Sequence, residues 1–280
     1  MIKHYLKVAF RNLMKYKTQS LVSIIGLAVG FTCFALSALW IRYEMTYDNF
    51  HEGADRIYLV RAHYANEPGT SKFTPYPLMK YLQDKMPEIE AVTAFTAHHV
   101  KFRMEDTEQE IGMIAADSVF MNFFDIQLLK GTVNFLKCDG QEVAITKEFA
   151  KRLFSKEEDA LGKEVEVGRR VCKIGAIVSG WSNHSNIPYN ILAPARHSPR
   201  WGSSNEQLFI RVRERTDIDV FRTKMSTIRI NDIEKESELS DLLITRMSAL
   251  RYSDYVDKAD VVISFSYIFY FSLAGGLVII

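Results

Sequence analysis

The residue types that most often carry out chemistry do not form a catalytic motif in this 280-residue chain. A phosphate-binding G-x-x-x-x-G-K-[ST] loop is absent, because Glu157 stands where the first glycine should precede Gly162 and Lys163. The sequence also lacks G-x-S-x-G, H-E-x-x-H and a calcium-binding loop. We therefore expect a protein that is not an enzyme and has no cofactor, so that any ATP hydrolysis must come from a partner.

The histidines and cysteines also lack the spacing of a metal site. His98 and His99 are adjacent on a predicted strand, so their side chains should point to opposite faces and cannot chelate one ion. Cys138 and Cys172 could form a disulfide in an oxidising compartment, but two unpaired thiols are the favoured interpretation. His184 lies in a segment rich in Gly, Asn and Ser, residues 180–188, where a solvated turn is favoured over a ligand contact.

An uncharged segment near the N-terminus predicts a membrane helix. Residues 21–41 contain no charge, and at about 1.5 Å per residue they cover the roughly 30 Å hydrocarbon core of a bilayer. A cleaved signal peptide is the alternative, but its apolar region is usually only about 7–15 residues long. Gly26 and Gly30 form a G-x-x-x-G pattern, which would let another helix approach closely.

The charges predict the orientation of this helix. Residues 1–41 carry five basic residues and no acidic one, whereas residues 42–260 carry 30 Lys and Arg against 34 Asp and Glu. By the positive-inside rule we expect the N-terminus on the cytoplasmic side of the membrane and residues 42–260 on the opposite, outer side. Residues 1–20 also alternate apolar and basic positions with helical spacing, which predicts an amphipathic helix at the lipid surface. The acidic outer segment argues against nucleic-acid binding.

A second uncharged segment, residues 261–280, predicts another membrane helix, and the sequence stops inside it without basic or aromatic flanking residues. We therefore expect this chain to be the N-terminal part of a longer membrane protein. The alternative is a buried core element at the end of a complete soluble chain.

The outer segment predicts an α+β fold built from two βαβ units. The first has strands at residues 56–65 and 89–102 around a helix at 76–86; the second has strands at 207–213 and 242–247 around a helix at 217–230. Because the units lie at the two borders of the segment, we expect one split domain, residues 42–102 and 205–260. Residues 103–204 then form an inserted mixed α/β subdomain, with a hairpin that turns near Gly168.

Three stretches resemble an ABC transporter permease of the MacB/FtsX type: FRNLMKYKTQSLVSIIGLAVG at residues 10–30, YEMTYDNFHEGADRIYLVR at 43–61, and TKEFAKRLFSKEEDALGKEVEV at 146–167. Ser155 and Ala160 depart from the more usual glycine and proline. The resemblance implies a bacterial inner-membrane protein whose porter-like periplasmic domain, with an inserted part, lies between the first two membrane helices.

The resemblance also implies partners and roles. A partner ATPase would drive conformational change in the periplasm, for export or mechanotransmission, in a permease dimer or pseudo-dimer with a periplasmic adaptor as a further partner. Lys15 and Lys17 would couple to the ATPase, and the residues after the first membrane helix would act as a lever: Tyr43, Tyr47, Asp48 and Phe50. The cargo is not identified. A two-span sensor with an extracytoplasmic ligand-binding domain is the alternative function.

Overall fold

A computed structural model describes residues 2–64, 69–105, 107–137, 141–181, 184–228, 230, 239–252 and 270. The chain divides into two compact units; the first contains Met1–Thr46 and the second, which we call the core domain, begins at Tyr47. The predicted second membrane helix, residues 261–280, lies outside the described residues except for Tyr270, which is helical.

The first unit contains two consecutive helices. Helix α1 spans Ile2–Lys15 and helix α2 spans Lys17–Met45, with Tyr16 between them at φ −110° and ψ 56°. Among the described residues, α2 is the one helix long and apolar enough to cross a membrane, and 6% of its most apolar 18-residue window is buried. This low burial is typical of a lipid-facing helix and not of a core helix in a soluble domain.

The core domain is built from twelve strands and four α-helices among the described residues. The strands are β1 (Ile57–Tyr64), β2 (Thr70–Ser71), β3 (Thr74–Pro75), β4 (Ile89–Met104), β5 (Thr107–Ala116), β6 (Leu128–Gly131), β7 (Glu142–Thr146), β8 (Glu164–Val167), β9 (Arg170–Val178), β10 (Ile191–Pro194), β11 (Ser204–Val212) and β12 (Leu239–Arg246). The helices are α3 (Pro77–Lys85), α4 (Ser118–Phe123), α5 (Lys147–Leu153) and α6 (Ile218–Ser226). Short 3-10 helices span Ala54–Arg56, Val133–Leu136, Glu157–Ala160 and Met247–Tyr252.

The two predicted βαβ units interleave in one sheet. Its first four strands follow the order β12, β1, β11, β4, and each neighbouring pair is antiparallel. Strands β1 and β4 are therefore parallel but separated by β11, and β1 likewise separates β11 from β12. This is a split βαβ arrangement, and the predicted α+β fold is confirmed.

Helices α3 and α6 cover one face of this four-stranded part. Pro77 occupies the first turn of α3, where its missing N–H costs nothing, and the carboxylate of Asp217 caps α6 by accepting from two backbone amides. The buried side chains of the two helices pack against the strand residues on the same face of the sheet and form one hydrophobic cluster with them. The helical members of this cluster are Leu78, Leu82, Phe221 and Met225. Helix α4 contributes its phenylalanines to a second cluster, with the strand residues of opposite parity, Ile57, Leu59, Phe95 and Phe209.

The sheet continues without a break into the middle of the sequence. Strand β4 has 16 residues; its second half pairs with β5, and the order then runs β10, β7, β9, β6. The predicted hairpin turn near Gly168 is confirmed, because β8 and β9 pair from Val167 and Arg170 outward and Gly168 has φ 64°. The predicted limits of the inserted subdomain, residues 103–204, stay a prediction.

Burial in the split sheet gives a prediction about stability. Leu208 of β11 is fully buried, whereas Leu129 of β6 is 40% exposed. We expect Leu208→Ala to lower the free energy of unfolding by about 2–5 kcal/mol, because it leaves a cavity between the sheet and its helices. The same change at Leu129 should cost less than about 0.5 kcal/mol. Urea unfolding of the amphipol-held chain, followed by tryptophan fluorescence, measures both; equal costs would contradict the packing.

Candidate functional site

The segment that follows α2 contains the residues that the sequence predicts to act as a lever. Helix α2 ends at Met45, and Thr46 caps it by donating its hydroxyl to the carbonyls of Arg42 and Tyr43, at 3.1 and 2.9 Å. Tyr43 lies in the last turn and is 49% exposed. The helix therefore ends at a defined residue, immediately before the core domain begins.

Asp48 is the most buried charged side chain of this segment, with no exposed surface. Its carboxylate accepts from the Ser185 hydroxyl at 2.5 Å, and from the backbone N–H and the side-chain amide of Asn186 at 3.1 and 2.5 Å. Its own backbone N–H donates to the His184 carbonyl at 3.2 Å. We call this set of contacts the Asp48 clamp. It fastens the start of the core domain to a loop about 137 residues away in sequence.

The backbone of Asp48 explains why an aspartate suits this position. Its φ is 57°, a left-handed conformation that Asp and Asn tolerate better than other non-glycine residues. Burial raises the pKa of the carboxyl, although the hydrogen bonds from Ser185 and Asn186 act in the opposite direction. The Asn186 amide also donates to the Met247 carbonyl at 3.4 Å, so the clamp joins a third segment of the chain.

Aromatic packing surrounds the clamp. Tyr47 is buried, and its ring lies 3.9 Å from that of His184. His51 is buried against the rings of Phe50, Phe124 and Trp181, at centroid distances of 4.3, 5.1 and 4.9 Å. Burial, assisted by the positive charge of Arg211, lowers the pKa of His51 to about 4, so the imidazole is neutral at physiological pH.

A run of tight turns connects the clamp to the first strand. The N–H of His51 donates to the Asp48 carbonyl, that of Ala54 to the His51 carbonyl, and that of Arg56 to the Gly53 carbonyl. Gly53 has φ 66°, which a glycine adopts without strain. Residues 48–56 thus lead into β1 through a series of backbone hydrogen bonds.

For the described residues of the loop at 180–188, the prediction of a solvated turn is wrong. Ser185 and Ile187 of this loop are 4% and 5% exposed, and the Trp181 indole N–H donates to the Ile187 carbonyl at 2.9 Å. The polar side chains of Ser185 and Asn186 bind a buried carboxylate. Trp181 and Ile187, two large apolar residues in an otherwise polar stretch, are the signal that could have indicated burial.

The other predicted residues lie apart from this site. Lys15 and Lys17 flank the break between α1 and α2, and both are exposed; Gly26 is partly buried and Gly30 is buried, one turn apart on α2. In the described part of the chain, no three His, Cys, Asp or Glu side chains could together hold a metal ion.

The remaining candidates for chemistry are also separate. His98 pairs with Met113 and His99 with Gly112 on β5, so the two imidazoles alternate across the sheet as expected. Cys172 is buried, and its thiol lies 4.0 Å from the Arg170 carbonyl; Cys138 lies outside the described residues. In the described part of the chain after α2, the contacts of Asp48 tie the start of the core domain to the loop of residues 184–186.

The clamp predicts a specific stability loss. Asp48→Ala should lower the free energy of unfolding by about 2–4 kcal/mol, because buried donors of Ser185 and Asn186 lose their acceptor and alanine disfavours the positive φ. Asp48→Gly also removes the carboxylate, but glycine adopts the positive φ without strain. Its stability loss therefore measures the hydrogen bonds alone. Asp55→Ala, an exposed acid in the same segment, is the matched control, with an expected cost below about 0.5 kcal/mol. Urea unfolding that ranks Asp48→Ala with Asp55→Ala would refute the clamp.

The buried imidazole of His51 should make the free energy of unfolding depend on pH. Because its pKa is about 4 in the folded protein and near 6.5 when unfolded, the unfolded chain binds the proton first as pH falls. The imidazole is neutral in both states above pH 6.5, and stability is lost progressively between pH 6.5 and 4, by about 3 kcal/mol in total. His51→Phe should remove this loss. The raised pKa of Asp48 changes stability with pH in the opposite direction, but Asp48 is present in both the unmodified chain and the His51→Phe variant, so its effect cancels when the two are compared. If the free energy of unfolding of the two proteins had the same pH dependence, a buried neutral His51 would be contradicted.

Solved structures share this fold. One is a domain described as part of a permease protein from Porphyromonas gingivalis, 18% identical, with a TM-score of 0.56 over 70% of this chain and 91% of the other. Another is the periplasmic region of MacB from Actinobacillus actinomycetemcomitans, 13% identical, with a TM-score of 0.50 over 71% of this chain and 92% of the other. At these identities the likeness establishes the fold. A search of curated protein sequences finds no significant match.

A family model supplies the assignment. The model of the MacB-like periplasmic core domain matches residues 20–228, from within α2 to just beyond α6, which is well over half of the chain. The match includes the membrane helix, the Asp48 clamp and most of the sheet. This chain therefore belongs to the MacB-like periplasmic core domain family and is, as its sequence predicts, a MacB/FtsX-type permease component.

Proposed function

We propose that this chain is the permease subunit of an ABC transporter in which a partner ATPase drives conformational change of the core domain in the periplasm. The observation that carries the proposal is the single family match, which runs from the membrane helix into the core domain. These 280 residues contain no phosphate-binding loop, and we assign ATP hydrolysis to a partner ATPase. Export of a cargo and mechanotransmission without a cargo both use this coupling.

The Asp48 clamp supports a lever in this mechanism. A displacement of α2 reaches the core domain only through residues that do not absorb it, and a flexible linker would absorb it. Tyr47 and Asp48 are buried, and the carboxylate is fixed by charge-assisted hydrogen bonds. Residues 47–56 therefore move together with β1 and with the loop of residues 184–186. Phe50 is 44% exposed and packs its ring against His51. It contributes less than Tyr47 and Asp48 to holding this segment in place.

The partners follow from the same proposal. Lys15 and Lys17 are exposed cations at the cytoplasmic end and would couple to the ATPase, while the apolar side chains of α1 lie among lipids. Gly26 and Gly30 would let a second membrane helix, of this or another permease subunit, pack against α2. Nucleotide can shift the permease only if it favours one of two packings that are close in free energy. An adaptor protein in the periplasm is a further proposed partner.

The orientation is tested by labelling. In a chain whose three cysteines are replaced by serine, Glu164→Cys should react with a membrane-impermeant maleimide in intact spheroplasts, and Lys7→Cys should react only after lysis. Both positions are exposed, so access to the reagent depends on the compartment. The reverse pattern would place the core domain in the cytoplasm and overturn the proposed function.

The lever is tested by breaking the clamp from the loop side. Ser185→Ala with Asn186→Ala leaves residues 43–56 unchanged and removes both side-chain donors to Asp48, so that the backbone N–H of residue 186 is the donor that remains. We expect the variant to keep its partner ATPase, captured by affinity purification from native membranes, yet to lose most of the nucleotide-dependent change in distance between spin labels at Asp219 and Lys173.

The matched control is Ser203→Ala with Asn205→Ala, a hydrogen-bonded polar pair at the start of β11, which should keep the full change. An undiminished response in the clamp variant would remove the lever from the mechanism. Capture of a signalling protein in place of an ATPase would favour the sensor function instead.

A further inference from the structure

A groove on the core domain, separate from the junction, has an apolar floor and a basic rim. It encloses about 370 Å³, within the range of small-ligand sites. Its floor includes Met113, Val143, Val167 and Cys172, and its rim carries His98 and three arginines, Arg169, Arg170 and Arg196. The residues that line it include no aspartate or glutamate.

Small residues in adjacent strands create the floor. Ala115 of β5 pairs with Ala193 of β10, and both line the groove. Met113, two residues before Ala115, points to the same face of the sheet, because side chains on one strand alternate. Two alanines side by side leave a trough where larger side chains would have filled the surface. The rest of this face is packed by the hydrophobic cluster that contains Phe149 of α5.

The hairpin between β8 and β9 supplies the positive charge. Arg169 follows Gly168 in the turn, and Arg170 begins β9; both side chains are exposed. In the described ranges of the chain, neither guanidinium forms an ion pair with an acid. Guanidinium groups bind carboxylates and phosphates through two parallel hydrogen bonds. The groove therefore offers unneutralised anion-binding groups beside an apolar surface.

From this combination we propose that the groove binds a single-chain anionic amphiphile, namely a fatty acid with about ten carbons. A methylene group occupies roughly the volume of a water molecule, about 30 Å³, so the groove holds about ten to twelve such groups. The chain lies on the floor, and the carboxylate meets the guanidinium groups of Arg169 and Arg170. The proposal is independent of the coupling to an ATPase.

The charge balance distinguishes this groove from a larger cleft on the same domain. That cleft, of about 560 Å³, is also lined by arginines, including Arg213 and Arg215, but Glu52, Asp55 and Glu214 line it as well. Three acids therefore face four arginines in this cleft, so most of its positive charge is offset. An anionic amphiphile is complementary to the groove and not to the cleft.

The test is calorimetric titration of decanoate into the 280-residue chain held in a non-ionic amphipol, which carries no carboxylate that could compete for the groove. We expect one equivalent to bind, and Arg169→Glu with Arg170→Glu to weaken that binding at least about tenfold. Arg200→Glu with Arg215→Glu, two exposed arginines outside the groove, is the matched control and should bind as the unmodified chain does. Decyltrimethylammonium, with the same chain and the opposite charge, should not compete, and added salt should weaken decanoate binding.

Ala115→Leu gives a second, uncharged test, because it fills the trough and leaves the arginines in place; it should also abolish the one-equivalent binding. Decanoate that binds the hairpin variant as tightly as the control, or displacement by decyltrimethylammonium, would overturn the proposal. So would a chain that is a dimer in solution and becomes monomeric only in the hairpin variant, since a second copy would then cover the groove.

Discussion

The buried carboxylate of Asp48 is the constraint on which the arrangement of the core domain's first residues depends. A buried charge without partners would cost several kcal/mol, so the loop of residues 184–186 must present its donors at that point. The same donors fix where the rings of Tyr47 and His184 contact each other, and the Asn186 amide extends the constraint to Met247. A mechanical connection thereby arises from one side chain that cannot be left unsatisfied.

The sheet gives this connection its rigid base. Residues 48–56 lead directly into β1, which lies between β11 and β12 and has a fully or almost fully buried first half. The phenylalanines of α4 and the Phe95–Phe209 stack, at 5.5 Å, pack beneath the cluster around His51. Because β4 continues into the second half of the sheet, both parts of the core domain share backbone hydrogen bonds. A displacement of residues 48–56 would therefore be passed through the sheet to both parts of the core domain.

Local patterns in the sequence predicted much of this fold. The uncharged run predicted α2, and alternating apolar residues predicted β1, β4 and β11 within a few residues. The lever residues Tyr47 and Asp48 could be named from their position after the helix, but the reason given, aromatic stiffness, was incomplete. The fixation comes mainly from hydrogen bonds to residues about 137 positions away. No local pattern reports such a contact, and for this reason the loop at residues 180–188 was predicted to be solvated. The groove between β5, β10 and the β8–β9 hairpin was equally hidden, because pairing of Ala115 with Ala193 depends on strand order.

Hydrogen–deuterium exchange of the backbone amides of residues 48–56 in the whole chain tests the central claim most directly. The Asp48 and His51 amides donate to the carbonyls of His184 and Asp48, so we expect protection comparable to that of the buried amides of β1. We also expect Ser185→Ala with Asn186→Ala to lower this protection while leaving β1 unchanged. Exchange of residues 48–56 at the rate of an exposed loop in the unmodified chain would contradict a rigid junction.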